Sequence, residues 1–489
     1  MTISYNDIPA ALRYPGVYIE IDGSQAGLGN DIPAVLLIGQ KLADGTAAAG
    51  EIVRVAGVED AVTKAGAGSM LAQMVSAYRD NDQSFDLYML PCADNTAGVQ
   101  ATGTIEVTTA ATEAGTLTLY IAGQCVSVGI GASDEAATIA TAIAQAITDA
   151  GADIPVTAEA DAGTVILTAR HKGTCGNDID IRLSLYDEDI PAGLVLDITA
   201  MSGGTGNPQL SDLETVMGSR WYRYVALGFA DAATLAAIHT ESQRRYKPPV
   251  QAGFRAFCAF RGDYLAAAEF GESKNYEHIA MLAVGTNPTP TWIAAAQLAS
   301  AAGPKLQNSP VESLEGTTLV GMIGKDYFDW TNANSLLYKG MSIMEAGTDG
   351  TCYIKRLISM YQRRSDGSAD DAWLDINVAE TMERIRYEQR IGAIQRFRGT
   401  AAAKSDEGYR PGLRITTVDS VRSYLLSLYK NTLMRDYGWV QDYDTYKSNL
   451  TVEQNSDDPG RFDFLDKPII NSPFNILAGR SQFLRKSPD

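Results

Sequence analysis

Positive charge is in short supply in this chain. Forty Lys and Arg stand against 59 Asp and Glu, a formal net charge of −19. Such a balance lacks the basic surface that displaces counterions, which argues against a sequence-independent hold on nucleic acid. It argues equally against binding acidic membranes. Cysteine is sparse too: Cys92, Cys125, Cys175, Cys258 and Cys352 are odd in number and scattered. That excludes a dense disulfide framework and zinc-ligand spacing, and leaves buried free thiols of a reducing cytoplasm as the expectation. Long apolar runs are missing as well. Met1–Pro9 has neither the basic start nor the apolar stretch of a secretory leader. The longest uncharged stretch, Ile279–Pro304, is broken by Gly285, Pro288 and Pro290. A soluble protein assembled in the cytoplasm is expected.

Catalytic vocabulary is equally thin. His171, His239 and His278 are the three histidines. Their surroundings predict a loop, a helix surface and a strand respectively, and none lies in HExxH or beside a second ligand. No GxSxG elbow occurs. Glycine-rich AGAGS (65–69) and GGTG (203–206) complete neither GxGxxG nor a phosphate loop, and GMIGKD (321–326) ends in Asp where Ser or Thr is needed. Turns that need positive φ explain these glycines better. No catalytic residue, cofactor or metal ligand is expected.

What the chain does have is length, 489 residues with 45% hydrophobic and 20% charged content, enough for two or three folded domains. IPAVLLIG from Ile32 is continuously apolar, as a strand covered on both faces should be. A helix over Ser69–Arg79 and a strand FDLYML (Phe85–Leu90) follow. The rhythm resumes with RYVALGF (Arg223–Phe229), a helix capped by Asp231, FRAFCAF (Phe254–Phe260), a short helix, HIAMLAV (His278–Val284) and a helix Thr291–Ala301. Strand and helix in alternation predict a largely parallel α/β core, residues 32–96 plus 206–350.

Residues 97–205 follow a different pattern. Ile105, Val107, Leu117, Leu119, Ile121, Val126, Val128 and Ile130 stand at alternate positions, the period of a sheet wet on one side. A helix over Asp134–Asp149 interrupts them, with Gly151 just past its end. This predicts a small inserted α+β domain. It holds 14 of the 26 acids found in residues 1–210, a stretch with 8 basic side chains. Residues 211–489 are nearly neutral, with 32 basic and 33 acidic side chains. Residues 351–470 read as a C-terminal α/β domain, opened by a strand CYIKRLISMYQ (Cys352–Gln362). Helices over Glu380–Phe397 and Val418–Tyr437 follow, the second with Val421, Leu425, Leu428 and Thr432 inward. In the first, Arg384, Arg386, Arg390, Arg396 and Arg398 alternate with Glu380, Glu383 and Glu388, the pattern of a solvated or interface helix more than of an RNA-binding one.

Both ends carry strands set apart from the domains. YPGVYIEID (Tyr14–Asp22) alternates Val17, Ile19 and Ile21 with Tyr18, Glu20 and Asp22, and a Gly-rich stretch separates it from the core. FNILAGRSQFLR (Phe474–Arg485) follows an Asp- and Pro-rich stretch. Such strands can pair within their own domain or add to a neighbour's sheet edge.

Three passages together point to a family. The opening YPGVYIEID followed by IPAVLLIGQ resembles the start of contractile-tail sheath proteins. LLYKGMSIMEAGTDGTCYIKRLISMYQ (336–362) with DDAWLDINVAETMERIRYEQR (370–390) is similar to the passage into that family's C-terminal region. TLTLYIAGQCVSVGI and VTAEADAGTVILTARHKGTCGNDI are similar to the insert of sheaths from Mu-type phages. The resemblance implies a virion structural subunit that stacks in hexameric rings around a tail tube and contracts to drive the tube through the host envelope. Implied partners are further copies of itself, the tail tube protein, and baseplate and tail terminator proteins, with neither nucleic acid nor membrane insertion. It also implies that residues 1–31 and 471–489 are arms donating strands to neighbours, through Gly16, Val17, Tyr18, Ile19, Glu20 and Ile21 at one end and Phe474, Ile476, Leu477, Phe483 and Leu484 at the other. Arg384, Arg390, Arg480 and Arg485 are candidates for facing the tube, and the acidic insert for facing outward. The competing readings are an enzyme on a doubly wound sheet, with its pocket near Asp231 or Thr286–Pro290, and another virion part such as a tube or baseplate protein.

Overall fold

The continuous apolar runs become the inner strands of one eight-stranded sheet. The computed structural model describes residues 34–405, 412–483 and 485. Across the sheet the order is Cys352–Arg356, Ser342–Ala346, Ile279–Ala283, Arg255–Phe260, Tyr222–Leu227, Ala34–Gln40, Asp86–Cys92 and Val53–Val55. The six inner strands are parallel, and the two edge strands run antiparallel to their neighbours. Every residue of Ala34–Gln40 is buried, because helices cover both faces. The helices Met70–Asn81 and Thr291–Asn308 pack against each other and against these strands. The Val53–Val55 edge is three residues long and carries exposed Arg54, paired to Asp86 at 2.6 Å, which blunts it against unwanted pairing.

The period-two segment forms two antiparallel sheets. Val195–Ser202, Gln100–Thr109, Thr164–Lys172 and Val156–Asp161 make one; Gln124–Ile130, Gly115–Ile121 and Ile181–Leu183 make the other. Ile105, Val107, Leu117, Leu119, Ile121, Val126, Val128 and Ile130 are all buried. The helix Ala136–Ala150 lays Ile139, Ile143 and Ile147 onto them and stops at Gly151, whose φ of 62° suits a residue without a Cβ. The mixed α/β architecture therefore holds several sheets, and the apolar interior of the insert runs without a break into that of the main sheet.

Two element readings need correction. Cys352–Gln362 is a strand only as far as Arg356, and that strand is an edge of the main sheet, paired to Ser342–Ala346, not the opening of a separate region. The helix from Val418 is α-helical to Ser427 and then widens into a π-helical stretch, Leu428–Asp436. The wider turn moves the inward face, so Leu425, Tyr429 and Leu433 are buried while Leu428 and Thr432 are only half-buried. These three join Ile385, Trp439, Val440, Tyr446 and Leu450 in a second, smaller core. A two-stranded hairpin, Thr451–Gln454 with Phe462–Leu465, stands beside it.

Candidate assembly surfaces

In a doubly wound sheet the strand order reverses between Tyr222–Leu227 and Ala34–Gln40, and a ligand would bind beyond their carboxyl ends. Here the insert occupies that place. His171 lies on the strand Thr164–Lys172, not in a loop, and its Nε2 accepts the N–H of Met70 at the start of a core helix (3.0 Å). Its Nδ1 then carries the proton and faces Asp94 Oδ1 at 3.1 Å. Asp94 also accepts from Gln40 Nε2 (2.8 Å) and from the Lys172 N–H (3.0 Å). Burial acts to raise the Asp94 pKa, but these donors outweigh it and hold the carboxyl below its usual range. Cys175 is buried against Gly228 O, and Asn207 donates to Asp231.

The places an enzyme would need are thus occupied. Asp231 caps its helix through the N–H groups of Ala233 and Thr234. The carbonyls of Thr286 and Asn287 accept from Arg182 and Arg261, both of which also hold Asp180 of the insert. A cavity of about 560 Å³ does open at the end of Asp86–Cys92. Burial pushes its thiol, Cys92, up to about 12, and its one ionisable companion is Asp212. His239 stacks on Tyr276 at 4.5 Å. Burial lowers its pKa although Glu277 works in the opposite direction. None of these arrangements pairs a nucleophile with a base.

The opposite end of the sheet carries a cluster of buried ion pairs. The parallel register brings Arg223, Arg255 and His278 side by side at the strands' amino ends. The long helix Ile376–Phe397 crosses there with Glu380 and Glu383 facing them, both almost fully buried. Glu380 accepts from Arg223 and from Arg384 (3.3 Å), and Arg255 Nε stands 3.7 Å away. Burial alone would raise the Glu380 pKa, yet the charges of Arg223, Arg384 and Arg255 bring it down to about 2. Glu383 takes the Gly253 N–H (3.0 Å), Arg255 Nη2 (3.4 Å) and Arg386 Nη2 (2.5 Å). A Cβ on Gly253 would lie 2.2 Å from the Glu383 carboxylate, so a larger residue there would push that carboxylate off its donors. Arg255 is completely buried and its Nη1 faces Nδ1 of His278 (3.2 Å). Burial first, then Arg255, His239 and Arg386, hold His278 neutral, well below its ordinary pKa. This ionic joint fastens the helix that leads into the second core.

The joint also changes one expectation. Arg384 turns inward to Glu380, Gln307 and Leu306 O and covers Trp439, so its charge is already matched within the chain. Sequence reasoning saw Glu380 and Arg384 as i,i+4 partners and missed Arg223 and Arg255, which a buried arginine inside an apolar strand run could have signalled. Arg390 is half-buried over Tyr387, whereas Arg480 and Arg485 are exposed. The terminal segments differ in what is described. Gly16, Val17, Tyr18, Ile19, Glu20, Ile21 and Leu484 lie outside the described residues. Phe474, Ile476, Leu477 and Phe483 are 70–87% exposed, and Phe474–Phe483 forms no strand within the chain. Beside that segment, the hairpin exposes Phe464 and Leu465, and among the described residues neither outer edge is paired. No helix among them is long and apolar enough to cross a membrane.

Comparison with known proteins places this arrangement. Residues 368–483 match the family model of the phage tail sheath C-terminal domain. The Mu-like prophage FluMu tail sheath protein of Haemophilus influenzae is 33% identical over 490 residues, spanning 99% of this chain and 100% of its own. Among solved structures, a sheath tail protein of Desulfitobacterium hafniense aligns with 14% identity and a TM-score of 0.47 over 93% of this chain and 100% of its own. The sheath of an extracellular contractile injection system in its contracted state aligns with 12% identity and a TM-score of 0.46, over 98% and 99%. An identity of one third along both whole chains is decisive: the protein belongs to the Mu-like phage tail sheath family, as a structural subunit of a contractile tail and not an enzyme.

Proposed function

We propose that this subunit polymerises as stacked hexameric rings around a tail tube, nucleated on a baseplate and capped by a terminator protein. Contraction of that sheath drives the tube through the host envelope for genome ejection. Strand exchange holds the rings together: residues 1–31, through Gly16–Ile21, and residues 471–489, through Phe474, Ile476, Leu477, Phe483 and Leu484, add to neighbours' sheets. Arg390, Arg480 and Arg485 face the tube and the acidic insert, residues 97–205, faces outward. The core of residues 32–96 and 206–350, joined by the edge strand Cys352–Arg356, and the tube-proximal remainder of 351–470 are the bodies that the arms connect. Assembly takes place in the host cytoplasm, and the finished subunit resides in the virion tail.

One observation carries this reading: among the described residues, a two-stranded hairpin with unpaired edges and an exposed apolar tail stand on the same chain. A lone two-stranded hairpin is marginal in water, and the hairpin Thr451–Gln454/Phe462–Leu465 has neither outer edge paired among the described residues. Among the described residues, the tail from Phe474 exposes Phe474, Ile476, Leu477 and Phe483 and pairs with no strand. A strand of about six residues adds roughly six backbone hydrogen bonds at ~0.5–1.5 kcal/mol each, enough for a lattice and weak enough to rearrange. Negative-stain microscopy of the purified protein over a concentration series, with tube protein added, should show hollow tubes with a transverse ring repeat. Deleting Phe474–Asp489 should leave a folded monomer and no tubes. Tubes from the deletion would defeat the arm assignment, and no tubes from the full chain on tube protein would defeat the sheath reading.

A further inference from the structure

A groove of about 990 Å³ lies beside the far edge of the main sheet, walled by the helix Trp330–Leu337 and the strands Ser342–Ala346 and Cys352–Arg356. Phe328, Leu337, Ile343 and Leu374 line its floor, and Trp330 (80% exposed) and Tyr338 (79%) flank it. Two such aromatic side chains left in water, beside an apolar hollow, mark a contact surface. The groove has no catalytic group assigned to it, and the strand-exchange reading makes no use of it.

The chain's own C-terminal tail reaches this groove. Asn475 and Ile476 form part of its lining, and Ser313 Oγ donates to Asn475 Oδ1 at 3.5 Å. The next residue, Leu477, is 87% exposed. Charge agrees with the placement. The lining carries the carboxylates Glu315, Asp329, Glu345, Asp370 and Asp371 against Lys355, Arg356 and Arg364, a net of −2. Residues 471–489 carry Arg480, Arg485 and Lys486 against Asp489, a side-chain net of +2. A tether anchored at the lip also sets a local concentration on the order of millimolar, far above any free subunit.

We propose that in the free subunit the groove docks the apolar and basic tail of the same chain, withholding the donor strand from other subunits until a growing lattice offers it a better site. Trp330 and Tyr338 close over Leu477 and the residues that follow. The inference rests on the reading of the tail as a donor strand and adds where that strand waits. Release then needs competition: a neighbour's hairpin must outbid a tethered site, which favours addition at an existing ring over pairing of two free subunits.

The test uses the full chain with exposed Cys125 replaced by Ser, and new cysteines by Leu477→Cys with Tyr338→Cys or with Trp330→Cys. All three positions are exposed, so folding should be unaffected. A third variant pairs Leu477→Cys with Tyr186→Cys on the insert as a control. Mild oxidation of dilute protein should give an intrachain disulfide in at least one groove pair, absent from the control, at a yield unchanged by roughly a hundredfold dilution. Peptide mapping reads the bond directly. No groove disulfide, a yield no higher than the control, or bonds between chains that vanish on dilution would overturn the proposal. Since the measurement is made on dilute subunits, failure to form tubes counts against the sheath reading and leaves this result standing.

Discussion

The insert and the long C-terminal helix are both fastened to the same sheet, at opposite ends and with a different balance of packing and charge. At the carboxyl ends of the strands the insert merges its apolar interior with the main core, and hydrogen bonds around Asp94 and the Arg261–Asp180 and Arg182–Asp326 ion pairs border that continuous packing. At the amino ends the helix Ile376–Phe397 is held by Arg223, Arg255, Glu380 and Glu383, beyond which a separate small core begins. Shared apolar packing fixes one geometry, because interdigitated side chains tolerate little sliding. Ion pairs between a sheet end and a helix are stiff while intact but hold two bodies that keep their own cores. The insert shares the sheet's core, whereas the C-terminal region adds a core of its own.

The largest expected effect comes from breaking the ionic joint on one side. Glu380→Ala leaves Arg223 and Arg255 buried without their main counter-charge and should cost about 3–5 kcal/mol, read by denaturant unfolding. Because the second core is separate, the loss should appear as an early transition of the C-terminal region, followed by Trp439 emission. Replacing Arg223, Arg255 and Glu380 together with apolar residues should restore most of the stability. A single unchanged transition in Glu380→Ala would show that the joint contributes nothing and that the two bodies are held some other way.

The insert's junction should respond differently. Asp94→Ala leaves the Lys172 N–H and one of the two Gln40 Nε2 hydrogens without an acceptor at a half-buried site, the other staying on Lys172 O (2.7 Å), and should cost about 1–3 kcal/mol. Asp94→Leu should do no better, since the donors belong to other elements and stay unpaired. An apolar swap that rescues this site would erase the contrast with the ionic joint. By the same logic, removing residues 98–204 uncovers Cys175's neighbour Gly228 and the main core itself, so a folded body after excision would show that the insert only rests on the sheet.

How far the residues alone announce this arrangement depends on range. Ala34–Gln40 and Ile279–Ala283 are legible because a strand covered on both faces has to be apolar throughout. The insert's alternation is legible for the same local reason, and Ile105 or Val128 face inward as their spacing demands. What joins the regions is carried by residues with ordinary local explanations. Glu380 with Arg384 has the spacing of any solvated helix pair, and only the strand register, which brings Arg223 and Arg255 under it, turns it into a buried hub. His171 sits at the end of an alternating strand, where periodicity says nothing about a helix terminus 101 residues earlier in sequence. The tail's apolar residues read as a strand, and Phe474–Phe483 forms none within the described residues.

Acid should separate the two junctions by sign. His278, at the ionic joint, is neutral when folded and held well below its ordinary value, whereas unfolded it titrates near 6.5. Below that pH the unfolded chain takes up a proton that the folded one refuses, so stability falls as pH drops from 7 to 5.5. Asp178, in the insert's turn Thr174–Asp178, moves the opposite way. Burial pushes its carboxyl up to about 6 against the pull of Arg261. The folded chain therefore binds a proton between pH 6 and the unfolded value of 3.8, and stability rises there as pH falls. Glu380 contributes nothing in this window, since its depressed value costs stability only below about pH 4.5. Each of the two opposing effects amounts to about 1 kcal/mol, the worth of roughly one pKa unit. His278→Asn should make the change from pH 7 to 5.5 more favourable than in the parent chain, and Asp178→Asn should make it less favourable, both followed by thermal unfolding. Shifts of the same sign would mean that the ends of the sheet share one electrostatic environment, and the distinction between a packed junction and an ionic one would lose its chemical basis.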